Sequence, residues 1–120
     1  MSGKHDYFPR ELCLLLHQLG VSATYRGFYQ AAYAVLLAME DMDRLLLVTK
    51  LLYQDTAKQY HTSVQSVERN IHTVAQVAWK HNRPMLEKLA HAPLPAPPSP
   101  SQLVAMLATH LLAEQETPSS

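Results

Sequence analysis

Hydrophobic residues recur at helical spacing along almost the whole chain. The first example is the set of Leu12, Leu15, Leu16 and Leu19, which fall on one side of a helix. Pro9 suits the first turn of that helix, and Gly20 can adopt the left-handed conformation that ends one. Nowhere do polar and apolar residues alternate long enough to indicate a β-strand. The pattern therefore predicts an all-α protein of roughly five to seven helices.

The central part of the chain carries the longest helical patterns. One run begins at Phe28 and ends in the acidic cluster at residues 40–43. The next run, RLLLVTKLLYQDTAKQY, is apolar on one side and fits either one bent helix or two short ones. After a polar turn at residues 61–63, we expect a long helix that reaches about His81. Pro84 could start a further short helix.

A proline-rich segment separates the last helix from the rest. The sequence PLPAPPSPS, residues 93–101, nearly excludes helix, whereas QLVAMLATHLLAEQ after it has an amphipathic helical pattern. A chain of 120 residues, of which 48% are hydrophobic, suffices for one domain with its own core. We therefore predict an N-terminal extension over 1–8, a compact domain of the six-helix type over 9–114 that contains a helix-turn-helix at about 48–81, and a tail over 115–120.

The segment AKQYHTSVQSVERNI, residues 57–71, has the features of a helix-turn-helix. The first helix of this motif needs a small residue where the second helix crosses it, and Ala57 is such a residue. Tyr60 is apolar enough to face inward before the chain turns. We expect Thr62 to cap the second helix, with Gln65 as its reciprocal partner in a capping box. Val67 and Ile71 are expected to point back at the first helix. Ala75 and Ala78 continue that buried stripe, and Trp79 anchors its far end.

The opposite face of the second helix is polar. Arginine can address guanine, glutamine can address adenine, and glutamate can accept from the amino group of cytosine, so these side chains can read base edges. Lys58 and the upstream Lys50 are placed to touch phosphates, which position a protein without specifying sequence. The polar residues of this face are Gln65, Ser66, Glu68, Arg69, His72, Thr73 and Gln76.

The distribution of charge favours the same segment. The formal net charge of the chain is zero, which at first argues against nucleic acid. Residues 44–83, however, contain six basic and two acidic side chains and have a net charge of +4, whereas the regions on either side each have −2. A basic middle segment between acidic ends is typical of a nucleic-acid contact face. A solvated helical face, or a helical hairpin that binds nothing, can show a similar pattern.

One known family shares these motifs. The stretch VTKLLYQDTAKQYHTSVQSVERNIHTVAQVAW resembles the C-terminal DNA-binding domain of the sporulation response regulator, the master transcription factor of endospore-forming bacteria. The similarity continues upstream in LLHQLGVSATYRGFYQAAYAVLLAMED and downstream in SQLVAMLATHLL, so that it covers roughly residues 12–113. The resemblance implies a six-helix effector domain that inserts a recognition helix into the major groove of a short box resembling TGTCGAA. Two such domains typically bind adjacent boxes in tandem.

The recognition helix departs from this family at one position. The family carries a Ser-Arg-Val-Glu-Arg run in which both arginines and the glutamate approach bases, whereas this chain reads Gln65-Ser66-Val67-Glu68-Arg69. The resemblance therefore assigns base contacts to Glu68 and Arg69, while Ser66 replaces the first arginine. The loss of one bidentate contact should reduce discrimination between bases by ~1–3 kcal/mol. We expect the family box to be read less well, or a different box to be preferred.

Two further features concern the control and the strength of DNA binding. The chain has no room for the N-terminal phospho-acceptor receiver domain of full-length members of the family, so the receiver has either been separated from it or the protein acts without phosphorylation control. The sequence pI of about 7.1 is low for a dedicated DNA-binding protein and indicates weak or salt-sensitive binding.

Other kinds of function find little support in the sequence. The seven histidines include no His-Glu-x-x-His motif and no pair at i, i+4 spacing, so we predict no metal site and no cofactor. We expect His17 to be partly buried, and His61 and His72 to lie at the surface or face DNA. Cys13 is interpreted as a small core residue, and no catalytic constellation is evident, so an enzyme is not expected. The absence of an apolar run near ~20 residues and of a signal-peptide layout predicts a soluble, cytoplasmic protein.

The sequence thus predicts a DNA-binding transcriptional regulator whose partner is double-stranded DNA, bound alone or as a homodimer or tandem assembly. The alternative is a protein-interaction module derived from the same domain with little or no DNA affinity, which the zero net charge and Ser66 favour. Neither a membrane nor a small-molecule substrate is expected as a partner. We expect base contacts from Gln65, Ser66, Glu68, Arg69 and His72, and phosphate contacts from Lys50, Lys58, Thr62, Ser63, Lys80 and Arg83.

Overall fold

The computed structural model describes residues 8–116, without the side chains of residues 48–50 and of residue 116. The α-helices are α1 (Arg10–Gln18), α2 (Arg26–Glu40), α3 (Gln54–Gln59), α4 (Val64–Ala90) and α5 (Pro100–Glu116). Between α2 and α3 the chain passes through a 3₁₀-helical segment, Met42–Leu47, and a π-helical segment, Val48–Tyr53. When α4 is divided at its kink, the described residues form six α-helices and no strand. This confirms the predicted all-α fold.

Helix α2 lies at the centre of the molecule and packs against both α4 and α5. Its first turn approaches α4 so closely that a Cβ at Gly27 would lie 2.5 Å from the backbone oxygen of Asn70 and 2.8 Å from Cγ2 of Val74. The side chain of Gln30 is only 2% exposed and accepts a hydrogen bond from Nδ2 of Asn70 at 3.0 Å. This satisfied polar pair fixes how α2 and α4 are placed relative to each other.

Helix α1 ends as its sequence predicts. Gly20 has a φ of +90°, and the amide of Val21 donates to the carbonyl of Leu16 at 3.0 Å. The expectation that His17 is partly buried is wrong, because His17 lies on the face of α1 opposite the buried leucines and is exposed. Its Nδ1 donates to the backbone oxygen of Cys13 at 2.8 Å. Cys13 itself is half-buried against the core, and this burial raises the pKa of its thiol.

Helix α4 changes direction at Asn82, whose φ of −154° and ψ of 59° are not helical. The Asn82 side chain caps the second part of α4, because Oδ1 accepts from the amide of Met85 at 3.3 Å. It also joins the kink to α1, because Nδ2 donates to the backbone oxygen of Gln18 at 2.8 Å. Pro84 follows within the first turn after this cap, where its lack of an amide hydrogen does no harm. The predicted break after His81 and the new helical start at Pro84 are therefore confirmed.

Helix α5 begins with a capping box that the sequence analysis did not identify. Oγ of Ser99 accepts from the amide of Gln102 at 3.2 Å, while Oε1 of Gln102 accepts from the amide of Ser99 at 2.9 Å. Pro100 occupies the first helical position, which proline favours. The last two residues of the predicted proline-rich connector thus belong to α5. The helix continues to Glu116, two residues into the predicted tail, and residues 1–7 and 117–120 lie outside the described part of the chain.

Candidate nucleic-acid interface

A tight turn joins α3 to α4. The amide of Thr62 donates to the carbonyl of Ala57 at 3.0 Å, and the amide of His61 donates to the carbonyl of Lys58 at 3.3 Å. These two bonds form a Schellman motif, in which the residue after the helix adopts the left-handed conformation. Here that residue is His61, with a φ of 54°, at a position where glycine is usual.

The residue that caps α4 is Ser63 and not Thr62, so the predicted capping box of Thr62 with Gln65 is wrong. Oγ of Ser63 accepts from the amide of Ser66 at 3.1 Å. The amide of Thr62 is already used in the end of α3, and Ser63 is the residue with the extended backbone that a cap needs, with φ −97° and ψ 160°. The prediction therefore misplaced the start of α4 by one residue.

The inward faces of the two helices follow the prediction. Ala57 is buried where α4 crosses α3, and Val67 and Ile71 are fully buried beneath it. Tyr60 is half-buried, and its hydroxyl donates to the backbone oxygen of Tyr29 in α2 at 3.1 Å. The corner, by which we mean α3 and its turn into α4, is therefore anchored to the central helix α2 as well as to α4. Further along α4, Ala75 and Ala78 are buried, and Trp79 packs against the core.

The opposite face of α4 is polar and open to solvent. Gln65, Arg69, His72 and Gln76 form its central stripe, because they are spaced at helical intervals of four, three and four residues. All four side chains are exposed, and Glu68 and Thr73 are exposed on either side of them. Ser66 is half-buried. The structure thus brings all five residues predicted to contact bases onto one side of a single helix.

Some polar groups on this face already have partners within the protein. Oγ of Ser66 accepts a hydrogen bond from Oγ of Ser63 at 3.1 Å, so the residue that stands in place of the family's arginine takes part in the helix cap. The Thr73 hydroxyl donates to the backbone oxygen of Arg69 at 3.1 Å. Nε2 of Gln76 lies 3.3 Å from Nε2 of His72. The Arg69 guanidinium group is exposed beside them.

Glu68 also interacts with a buried residue beneath α4. Burial of the Tyr53 phenol raises its pKa to about 12, and the negative charge of Glu68 contributes to this increase. Tyr53 is 2% exposed and ends the π-helical segment before α3. Glu68 therefore lies at the edge of the polar face of α4, which we call the reading face, and close to the buried Tyr53.

The residues predicted to touch phosphates differ in how far their side chains are exposed to solvent. Lys58, Ser63 and Lys80 are exposed, and Thr62 is half-buried at the turn. Ser63 and Thr62 lie at the amino end of α4, where unpaired backbone amides and the helix dipole favour an anion. The side chain of Lys50 is outside the described residues.

Arg83 differs from the other basic candidates because the protein itself holds its guanidinium group. That group lies over the Trp79 ring, 4.3 Å from its centroid, donates from Nη2 to the carbonyl of Leu94 at 2.8 Å, and donates from Nε to Glu87 at 3.3 Å. The amide of Leu94 donates to the same carboxylate at 2.8 Å. These contacts lower the pKa of Glu87, the backbone hydrogen bond from Leu94 most of all. A phosphate contact by Arg83 would have to compete with them.

The fold adds one basic residue that the sequence analysis did not select. Arg26, the first residue of α2, is exposed and lines a shallow cleft of about 120 Å³ together with Thr73 and Val77 of α4. Arg26 lies in the first third of the chain, which has a net negative charge, so the charge distribution along the sequence did not predict a DNA contact there. The signal that could have identified it is its place one residue before Gly27, where α2 meets α4.

The other surface features of the described residues lie apart from this face. A cleft of about 430 Å³ between α1, the end of α4 and α5 contains none of the predicted DNA contacts. Within the described part of the chain, no three side chains of the metal-ligating types come together. Every helix that the structure describes is too short or too polar to span a lipid bilayer.

Comparison with known protein families identifies one that covers most of the chain. The family described as the C-terminal domain of sporulation initiation factor Spo0A matches residues 12–111 of this chain. That range contains the corner, the whole of α4 and most of α5. It also agrees with the resemblance seen in the sequence alone. The chain therefore belongs to the Spo0A C-terminal domain family, the DNA-binding domains of sporulation transcription factors.

Proposed function

We propose that this chain is a sequence-specific transcriptional regulator that places the first half of α4 in the major groove of a short DNA box. The observation that carries the proposal is the polarity of α4. Its exposed stripe contains Gln65, Arg69 and His72, while Val67 and Ile71 on the opposite side are fully buried against the rest of the domain. A helix supported on one side and polar on the other is what docking of a recognition helix requires.

Each predicted contact has a defined part in this proposal. Arg69 is the principal base-reading residue, because an arginine can make two hydrogen bonds to one guanine. Glu68, Gln65, Ser66 and His72 add base contacts. Backbone phosphates are bound by Lys50, Lys58, Thr62, Ser63, Lys80 and Arg83, to which the fold adds Arg26.

The wider context is proposed from the family. We place the effector domain at residues 9–114, acting in the cytoplasm on double-stranded DNA and without enzymatic activity. Two copies bind adjacent boxes as a tandem assembly, in line with the resemblance to the sporulation regulator.

Fluorescence anisotropy provides the test. A labelled duplex with two tandem boxes resembling TGTCGAA is compared with a scrambled duplex across a salt series. We expect the box to bind more tightly and Arg69→Ala to remove roughly ten-fold or more of that preference, as expected for a bidentate base contact. Lys88→Ala is the control, since Lys88 lines the cleft between α1 and α5. Absence of binding to either duplex at low salt would rule the proposal out.

Glu68→Ala tests the second of the two residues to which the family resemblance assigns base contacts. Because Glu68 can accept from cytosine or orient Arg69, we expect its removal to change specificity more than affinity. The substitution also removes a negative charge near the DNA, which favours binding to any sequence. Equal weakening on matched and scrambled boxes would contradict this role.

A second candidate function is a protein-interaction module with little DNA affinity. The observation that favours it is a group of exposed leucines before α3, with Leu46 77% exposed, Leu47 56% and Leu51 41%. Such side chains are usually covered when they cluster at a surface. This candidate predicts that the chain binds a full-length regulator of the same family without DNA, and that Leu46→Ser together with Leu47→Ser abolishes that binding.

A further inference from the structure

The exposed stripe of α4 contains a hydrogen bond that selects one form of a histidine. Nε2 of Gln76 lies 3.3 Å from Nε2 of His72, one helical turn away. The nitrogen of a side-chain amide can only donate, so the ring nitrogen that it faces must be the unprotonated acceptor. In a neutral imidazole the remaining hydrogen is then on Nδ1.

We propose that Gln76 is a positioning residue that holds His72 in its Nδ1–H tautomer, so that His72 presents a hydrogen-bond donor to the DNA base that it faces. This inference rests on the proposed function and specifies the chemistry of one base position. Gln76 itself has no assigned base contact in that proposal, and its effect on DNA passes through His72.

The position of His72 on α4 suits such a contact. His72 follows Arg69 by one turn on the same exposed stripe. It lies about 12 Å along the helix from Val64, at 1.5 Å per residue. A helix lying in the major groove can therefore bring Arg69 and His72 to neighbouring base pairs in one docking mode.

A donor at this position excludes one base. In the major groove guanine offers N7 and O6 as acceptors, adenine offers N7, and thymine offers O4, whereas cytosine offers only the hydrogens of its amino group. The Nδ1–H tautomer of His72 therefore accepts guanine, adenine or thymine and rejects cytosine. The opposite tautomer would present an acceptor, which cytosine and adenine could satisfy.

The tautomer can be measured in the free protein by NMR of isotope-labelled histidine nitrogens in mildly alkaline buffer. We expect the full chain to show the Nδ1–H form at His72. Gln76→Met keeps the length of the side chain and removes the donor, and we expect it to change the tautomer ratio about five-fold, the effect of one ordinary hydrogen bond. Gln18→Met is the matched control and should leave the ratio unchanged, because Gln18 is an exposed glutamine of α1 that lines the cleft away from the polar face of α4. A predominant Nε2–H form in the unaltered protein would overturn the proposal.

The consequence for DNA is measured with duplexes in which each position of the bound box is changed in turn to cytosine. We expect one position at which cytosine weakens binding, and at which Gln76→Met reduces that discrimination about five-fold while Gln18→Met does not. If the tautomer is as proposed but Gln76→Met alters discrimination at no position, base selection by His72 is overturned. If the unaltered protein shows no box preference at all, the proposed function has failed, and the NMR result then judges the role of Gln76 separately.

Discussion

At the scale of single residues, two histidines adopt a backbone conformation that suits glycine better. His61 and His91 have φ values of 54° and 58°, and each lies within two residues of the end of a helix. At the second site the amide of Ala92 donates to the carbonyl of Glu87 at 3.3 Å, which repeats the bonding pattern of the first. A side chain with a Cβ is strained in this region by about 1–2 kcal/mol. Backbone strain at both helix ends therefore lowers the free energy of unfolding, and a substitution can remove that strain.

We expect His61→Gly to increase the free energy of unfolding by about 0.5–1 kcal/mol. The relief of left-handed strain is partly offset by the larger conformational entropy of glycine in the unfolded chain. Urea denaturation followed by circular dichroism measures the change. His72→Gly is the control, because His72 has ordinary helical geometry and glycine there should destabilise by roughly 0.5–1 kcal/mol. Equal effects of the two substitutions would contradict the role of backbone conformation at His61.

The neighbouring residues Thr62 and Ser63 are expected to respond differently to the same substitution. Ser63→Ala removes the cap of α4 and should destabilise the protein by about 1 kcal/mol, whereas Thr62→Ala leaves the cap intact and should cost much less. Thermal unfolding distinguishes the two. A larger loss of stability from Thr62→Ala than from Ser63→Ala would mean that α4 begins one residue earlier in solution.

At the scale of secondary structure elements, local sequence features predicted most of the helix boundaries. Gly20 ends α1, and Pro84 follows the break in α4, because both effects depend on a few neighbouring residues. The cap of α4 was misassigned because Thr62 and Ser63 are both residue types that cap helices. Only the backbone at His61, which draws the amide of Thr62 into the end of α3, decides between them.

Contacts between distant segments could not be predicted in this way. The hydrogen bond between Gln30 and Asn70 joins residues 40 positions apart. A glutamine on the buried side of a helix does not fit the hydrophobic pattern, and only the fold reveals the partner that satisfies it. The contacts that hold Arg83 and the placement of Arg26 beside α4 likewise depend on the fold. The exposed face of α4 was predictable because helical spacing alone fixes which side chains share a side.

Gly27→Ala tests the crossing of α2 and α4. The added methyl group would lie 2.5 Å from the Asn70 backbone oxygen, so the helices must separate, and we expect a loss of about 1–3 kcal/mol in stability. Because α4 carries the reading face, box preference should weaken together with stability. Ala23→Ser adds a single atom at an exposed neighbouring position and is the control. Unchanged unfolding of Gly27→Ala would show that the two helices are less closely packed than the structure indicates.

At the scale of the whole molecule, a net charge of zero does not describe the surface that DNA would meet. The middle segment of +4 folds so that Lys58, Arg69 and Lys80 are exposed on α3 and α4. Lys88 instead lines the cleft between α1 and α5, alongside Glu11 and Glu114. The salt dependence of binding should therefore report on the local cations and not on the total charge, since each neutralised phosphate releases its own counterions.

Three lysine-to-alanine substitutions separate these contributions. The logarithm of the binding constant should fall linearly with the logarithm of salt concentration, and the slope should decrease by about 0.9 for Lys58→Ala and for Lys80→Ala. Lys88→Ala removes the same charge from the whole molecule, yet should leave the slope unchanged. Box preference should survive all three, because phosphate contacts position the protein without reading sequence. If Lys88→Ala lowers the slope as much as the other two, total charge governs the encounter, and the proposed orientation of α4 towards DNA loses its electrostatic support.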